Sequence, residues 1–243
     1  MKKLLSIAFC AAVASGFADG EPSANEAVLG TVGVTAITTS LSNVIVAVSY
    51  DDLAGGTGMV YSNLVKTANL TEGDRLVEFR NDKYTGWVLE KSGEVLYWKE
   101  TTEVFQDASG KQITLQGSAA ETVRGAVGTG IWLVRNKPTD SDENPIPFYI
   151  YGKSVSSLTS TTVAGKWTLI GNPTQGQVTI GPTTVPDVQT GDQIVTAEED
   201  GKLHYHTFIG SQWTGSPITI DPGLGFWIKT QAETTITWTT SEE

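Results

Sequence analysis

Few residues in this chain have the type and spacing for chemistry. Its two histidines, His204 and His206, are separated by one residue. On a strand, alternate side chains share a face, so a His-x-His pair can offer two nitrogens to a transition metal. A zinc site takes three or four protein ligands. Asp192, Glu198 and Asp200 are near in sequence, but nothing in the spacing places them on the same face. A partly exposed strand face explains the pair without a metal, and that is the expectation. A metal-dependent hydrolase built around His204 and His206 is kept as an alternative.

Other catalytic patterns are missing or incomplete. No G-x-S-x-G elbow occurs. Gly152-Lys153-Ser154 looks like the end of a phosphate loop, but Pro147 stands where its first glycine belongs. Carboxylate pairs for glycoside cleavage have many candidates among 27 acids, and a sequence gives no distances between them. Glu78, between Val77 and Phe79, is the acid closest to an apolar setting, and simple strand alternation accounts for it. The expectation is therefore a protein that is not an enzyme, with no catalytic residues and no cofactor.

Seven tryptophans raise a different possibility. A flat indole or phenol can stack on a sugar ring. Trp87, Trp167 and Trp238, together with Tyr84, are the candidate platform for such a ligand, which would make the protein a carbohydrate-binding module. The other four, Trp98, Trp132, Trp213 and Trp227, recur at matching places in the two repeats described below. Matching positions point to the core.

The elements that must hold these residues are strands. Of 243 residues, 33 are Thr, 22 Val and 15 Ile, which is a strand-rich composition. Charged residues make up 18% and the net charge is −11. Coiled coil, disordered acidic tail and multi-span membrane protein are excluded. Nucleic acid is not an expected partner, because phosphate backbones are held by Lys and Arg.

Residues 1–18 read as a secretory signal peptide. Lys2 and Lys3 precede an apolar run from Leu4 to Val13, and Gly16 and Ala18 supply the small residues of a cleavage site. The run is short of the roughly twenty residues that span a bilayer. Cleavage after Ala18 leaves 225 residues, removes the lone cysteine, Cys10, and takes the charge from −11 to −13. The mature chain then has no disulfide, and its stability rests on buried apolar area. The expected location is outside the cytoplasm: periplasm, cell surface or medium, with no membrane span after cleavage.

Short alternating runs recur through the mature chain, among them Val44–Val48, Arg75–Phe79, Ile131–Val134, Phe148–Tyr151, Leu203–Ile209 and Phe226–Ile228. Asp82-Lys83, Ser92-Gly93, Ser109-Gly110 and Asp200-Gly201 suit hairpin turns. Helix signals are confined to one or two turns at Ala119–Arg124 and at Asn63–Ala68. Residues 137–147 hold three prolines and three acids and read as a solvated linker. Asp140, Asp142 and Asn144 have the spacing of a calcium loop, but the glycine and the distal glutamate of that motif are not in place.

The chain contains one pattern twice. Leu70-Thr-Glu-Gly-Asp-Arg-Leu-Val77 matches Val188-Gln-Thr-Gly-Asp-Gln-Ile-Val195, 118 residues later. Gly128-Thr-Gly-Ile-Trp-Leu133 matches Gly223-Leu-Gly-Phe-Trp-Ile228. Trp98 aligns with Trp213, and Asn43–Val48 with Trp167–Asn172, the first copy carrying extra residues around Thr101–Arg124. Gly-Asp suits a tight turn into a strand. The glycines of G-x-G bring the backbone close to a neighbour. With a strand after them instead of a helix, they are not a phosphate cradle.

These signatures suggest an all-β chain of two repeated antiparallel sandwich or barrel-like units: residues 19–136 and 148–243, joined by 137–147. The leader, the Val28-Leu-Gly-Thr-Val-Gly-Val34 entry, the paired Gly-Asp turns and the paired G-x-G-apolar-Trp endings resemble a family of exported bacterial proteins with no assigned activity. The resemblance implies export and a duplicated β architecture, and carries over no catalytic residue. The leading functional expectation is a non-enzymatic structural, adhesive or surface-interaction module of the envelope, with a glycan or another envelope protein as partner.

Overall fold

The computed structural model of the chain describes residues 32–53, 55–60, 63, 70–80, 83–102, 104–106, 112–114, 124–155, 158–197, 202–215 and 217–238. The leader lies outside them. So do the two short helix candidates, apart from Asn63 and Arg124, and the turn residues Asp82, Ser109-Gly110 and Asp200-Gly201. The described residues contain strands and no helix.

The first half holds β1 (Val32–Ile37), β2 (Asn43–Ala47), β3 (Met59–Val60), β4 (Arg75–Arg80), β5 (Lys83–Ser92), β6 (Val95–Thr101), β7 (Val104–Gln106), β8 (Gln112–Thr114), β9 (Arg124–Gly125), β10 (Gly130–Val134) and β11 (Phe148–Lys153). The second holds β12 (Thr159–Thr161), β13 (Trp167–Gly171), β14 (Val178–Ile180), β15 (Gln193–Ala197), β16 (Leu203–Ile209), β17 (Gln212–Trp213), β18 (Ile218–Ile220), β19 (Gly225–Lys229) and β20 (Thr235–Thr237). Each half has a five-stranded antiparallel sheet, ordered β2-β10-β4-β5-β6 and β13-β19-β15-β16-β17, and neither closes into a barrel.

The same plan is followed twice. The ribbons β1–β11 and β3–β9 of the first half have counterparts in β12–β20 and β14–β18. The β7–β8 hairpin is the addition in the longer first copy. By this pairing Phe148–Lys153 belongs with the first half, because it runs antiparallel to Val32–Ile37. The sequence reading opens the second unit at Phe148. It takes the Pro-rich stretch before that residue as the seam, whereas strand order puts the seam between β11 and β12.

Each sheet buries one face under its ribbons. The first core gathers Val44, Val46, Leu76, Trp87, Leu89, Trp98, Ile131 and Leu133 from the sheet, with Met59, Phe148 and Ile150 from the ribbons. The second gathers Ile170, Ile194, Phe208, Trp213, Phe226 and Ile228, with Val178, Ile180, Ile218, Ile220 and Ile236. The opposite faces of the two sheets meet each other through Ile45, Val77, Trp132 and Leu169, joined by Tyr84, Val134 and Trp227. This explains why β2 after Asn43 (VIVA) and β10 (GIWLV) are apolar runs that do not alternate. Both of their faces are covered. The same packing sets the place of Glu78, whose alternation with Val77 and Phe79 is kept. Its strand is covered on both sides, so alternation puts Glu78 on the core side with Leu76, and it is buried.

Candidate functional site

The Gly-Asp motifs build a structural clamp in each half. Gly73 and Gly191 have φ of 91° and 99°, the left-handed region that glycine tolerates. Asp74 then turns its carboxylate back on its own loop. Oδ2 accepts from the Thr71 amide (2.9 Å), and Oδ1 accepts from the Asn136 amide (2.6 Å). Asp192 repeats this, with Oδ2 accepting from the Gln189 amide (2.8 Å) and Oδ1 from the Gln231 amide (2.9 Å). In both halves the clamp ties the turn before the third sheet strand to the residues just after the closing one. Burial pushes the Asp74 carboxyl above its ordinary range, although the amides of Asn136 and Thr71 and the charge of Arg135 oppose the shift. These two acids hold the fold together and are not exposed for catalysis.

The G-x-G motifs form the junction between the halves. Gly128 and Gly223 have φ of 85° and 74°. The Gly128 carbonyl accepts from the Gly171 amide (3.0 Å), and the Gly223 carbonyl accepts from the Ala47 amide (2.8 Å). A Cβ on Gly130 would lie 2.9 Å from Leu169 Cγ, and one on Gly225 would lie 2.5 Å from Ile45 Cγ2. Each motif therefore approaches the other half. The close neighbour expected from the spacing is present, and it is the other copy of the repeat.

The candidate platform residues do not share a surface. Trp87 is wholly buried in the first core and Trp238 is buried in the second, so neither can stack on a ligand. The Trp238 Nε1 donates to Ser160 Oγ (2.7 Å), which donates to the Gly128 carbonyl (2.8 Å). Tyr84 packs against Phe79 (4.8 Å between ring centroids), and Phe79 meets Trp227 of the other sheet edge-on at 5.0 Å. Trp167 is half-buried at the start of β13. For Trp87 the lack of an indole counterpart has a local reason. Trp87 pairs in register with Leu76, and at the matching place in the second half His206 pairs with Ile194. The second half thus carries a histidine where the first carries a core indole. The match of Trp98 with Trp213 holds, since they pair with Leu89 and Phe208 at equivalent positions.

His204 and His206 do share a face, with ring centroids 6.4 Å apart. His206 is 8% exposed and its ring is committed: Nδ1 meets the Thr214 carbonyl at 2.8 Å and Nε2 meets Thr196 Oγ1 at 3.1 Å. His204 is exposed. No group of three or more His, Cys, Asp or Glu is placed to hold a metal among the described residues. The Asp140 loop closes on itself. Asp140 Oδ1 accepts from the amides of Asp142 and Asn144, both at 2.9 Å, and the Asn144 amide holds its carboxyl below the ordinary range.

Where the halves meet, a cleft of about 610 Å³ opens. Thr38, Thr39 and Leu41 line one side, and β16 and the segment around Asp221 line the other. Tyr205 is 67% exposed there. Val195 faces it across the register, Trp227 pairs with Val195, and Leu169 pairs with Trp227. An apolar row thus runs from the buried junction out to an open phenol ring. Tyr205 is one of the tyrosines, with Tyr61, Tyr84 and Tyr97, that the sequence offers as exposed rings, and the structure leaves it open. Asp221 carries no sequence signal that would single it out.

A second exposed feature lies on the first sheet. β6 is its edge strand, and Val95, Leu96 and Tyr97 are exposed on it. Tyr97 and Lys99 both donate to Glu90, at 3.1 and 2.9 Å.

Fold and site together define an all-β protein of two like halves, joined back to back, with a cleft at the junction. Comparison with protein-family models, with curated proteins and with solved structures finds no match.

Proposed function

We propose that this chain is a non-enzymatic, exported β protein of the bacterial envelope that works as a surface-interaction module. The edge strand β6 carries the reading. It is seven residues long, with Val95 66% exposed and Leu96 and Tyr97 open beside it. The equivalent edge of the other half, β17, has two residues. A long edge strand with apolar side chains is a template for pairing with another chain, and proteins that avoid association shorten or cover such edges. The two halves differ in length at this edge, seven residues against two. The clamped Gly-Asp turns and the doubly bonded His206 support a structural role over a catalytic one.

The test is sedimentation of the mature chain, alone and with isolated envelope fractions, against a Val95→Lys, Tyr97→Lys double variant. The expected result is association by the native chain that is lost in the variant at unchanged melting temperature. Equal association of both, or none by the native chain, overturns the reading. Fractionation of cells making the full chain tests export, and retention of residues 1–18 in the cytoplasm overturns that part.

A further inference from the structure

The geometry points to a binding site for a neutral saccharide in the cleft between the halves, with Tyr205 as its stacking ring and Asp221 as its hydroxyl acceptor. This goes beyond the edge-strand reading and does not depend on it. Ligand sites favour clefts between structural units, where an apolar surface meets a few placed polar groups. Here the apolar part is the row ending at Tyr205, whose open ring offers flat area to the C–H face of a sugar. The polar part is built. Asp221 Oδ1 accepts from Gln177 Nε2 at 2.8 Å, which orients the carboxylate, so that Oδ2 is left to accept from a ligand hydroxyl. His206, itself buried, fixes Thr196 and the Thr214 carbonyl, and both residues line the cleft.

The lining chooses the ligand class. Among the described residues, none that lines the cleft is Lys or Arg. A phosphate, sulfate or sialic acid would enter beside Asp221 with no cation to meet it, in a chain whose formal charge is −11. A purely apolar ligand would strip water from Asp221 and from the threonines without replacing their hydrogen bonds. A neutral polyhydroxylated ring satisfies both the phenol face and the hydroxyl-bonding groups.

The experiment is a glycan array carrying neutral and acidic oligosaccharides, probed with the mature chain. Calorimetric titration follows with the neutral oligosaccharide that binds best. Tyr205→Ala and Asp221→Asn each lower the affinity about tenfold or more, the loss expected for a stacking ring or a charge-assisted hydrogen bond. Tyr97→Ala, on the edge strand β6 and outside the cleft lining, leaves it unchanged. Retention of no neutral glycan, preference for sulfated or sialylated glycans, or unchanged affinity in both cleft variants overturns the proposal. The edge-strand variant Val95→Lys, Tyr97→Lys still binds glycan, so failure of either reading is seen separately.

Discussion

Ala47 and Gly171 occupy the same place in the two halves and meet each other at the junction. A Cβ on Gly171 would collide with both Cβ and Cα of Ala47. Around them the hydrogen bonds are exchanged symmetrically. The Val48 amide donates to the Thr129 carbonyl (2.8 Å), as the Asn172 amide donates to the Leu224 carbonyl (2.8 Å). The two backbones come this close only because one of the pair lacks a side chain. Gly171→Ala is therefore expected to cost about 3 kcal/mol, the upper range for overpacking, because the obstacle is backbone and cannot rotate away. Urea unfolding of the variant measures it. Gly181→Ala is the control, since nothing lies within 4 Å of its added Cβ. A Gly171→Ala variant as stable as this control would mean the halves are not locked at that point.

The Asp74 clamp predicts a pH dependence with a definite sign. Burial raises its pKa above the unfolded value of 3.8. The fold therefore prefers the protonated acid. That contribution to stability is complete below pH 3.8 and is lost as pH rises through the raised folded pKa. Asp74→Asn removes the titration, so the gap in unfolding free energy between native chain and variant narrows with rising pH across this window. The variant also keeps a single oxygen for donors that the carboxylate meets with two, which costs about 1–3 kcal/mol. Carboxyl carbon shifts of Asp74 followed by NMR give the pKa directly. A value below 3.8 contradicts the assignment.

Two buried indoles differ in one bond. Trp238 Nε1 donates to Ser160, whereas the buried Trp98 Nε1 has no partner among the described residues. Replacement by Phe removes a made bond in one case and an unmet donor in the other. Trp238→Phe is expected to be less stable than Trp98→Phe by about 1 kcal/mol, read from denaturation midpoints. Equal losses would show that packing volume alone sets the cost.

The His pair gives a test of metal binding. Both ring nitrogens of His206 already have partners, so a metal would have to break a bond to Thr214 or Thr196. Added zinc is expected to leave the melting temperature within error. A rise that disappears in His204→Ala would bring the metal reading back. His206→Ala, in contrast, removes a buried ring together with its bonds to Thr214 and Thr196 and costs about 1–3 kcal/mol.

A ring contact across the junction offers a further check. Phe79 of the first sheet meets Trp227 of the second. Phe79→Ala is expected to lose about 3 kcal/mol through the cavity it leaves and to alter Trp227 fluorescence in the folded state. Unchanged emission would mean that the two rings do not touch.

The sequence by itself determined the strand class and the repeat, because both are local. Val, Ile and Thr in short runs favour extended backbone wherever they fall, and a Gly-Asp turn closes within four residues, as Asp74 and Asp192 show on Thr71 and Gln189. The recurrence of G-x-G-apolar-Trp was legible for the same reason. What those glycines touch was not, since Gly130 meets Leu169 and Gly225 meets Ile45 from the opposite half. The pairing of Phe148–Lys153 with Val32–Ile37 also lies beyond any local signal, because it spans most of the first half and depends on where the chain returns. Burial of Trp87 and exposure of Tyr205 were decided at the same level. An aromatic side chain has the same chemistry in either setting, and only the faces that the two sheets turn toward each other determine which ring is covered and which is left open.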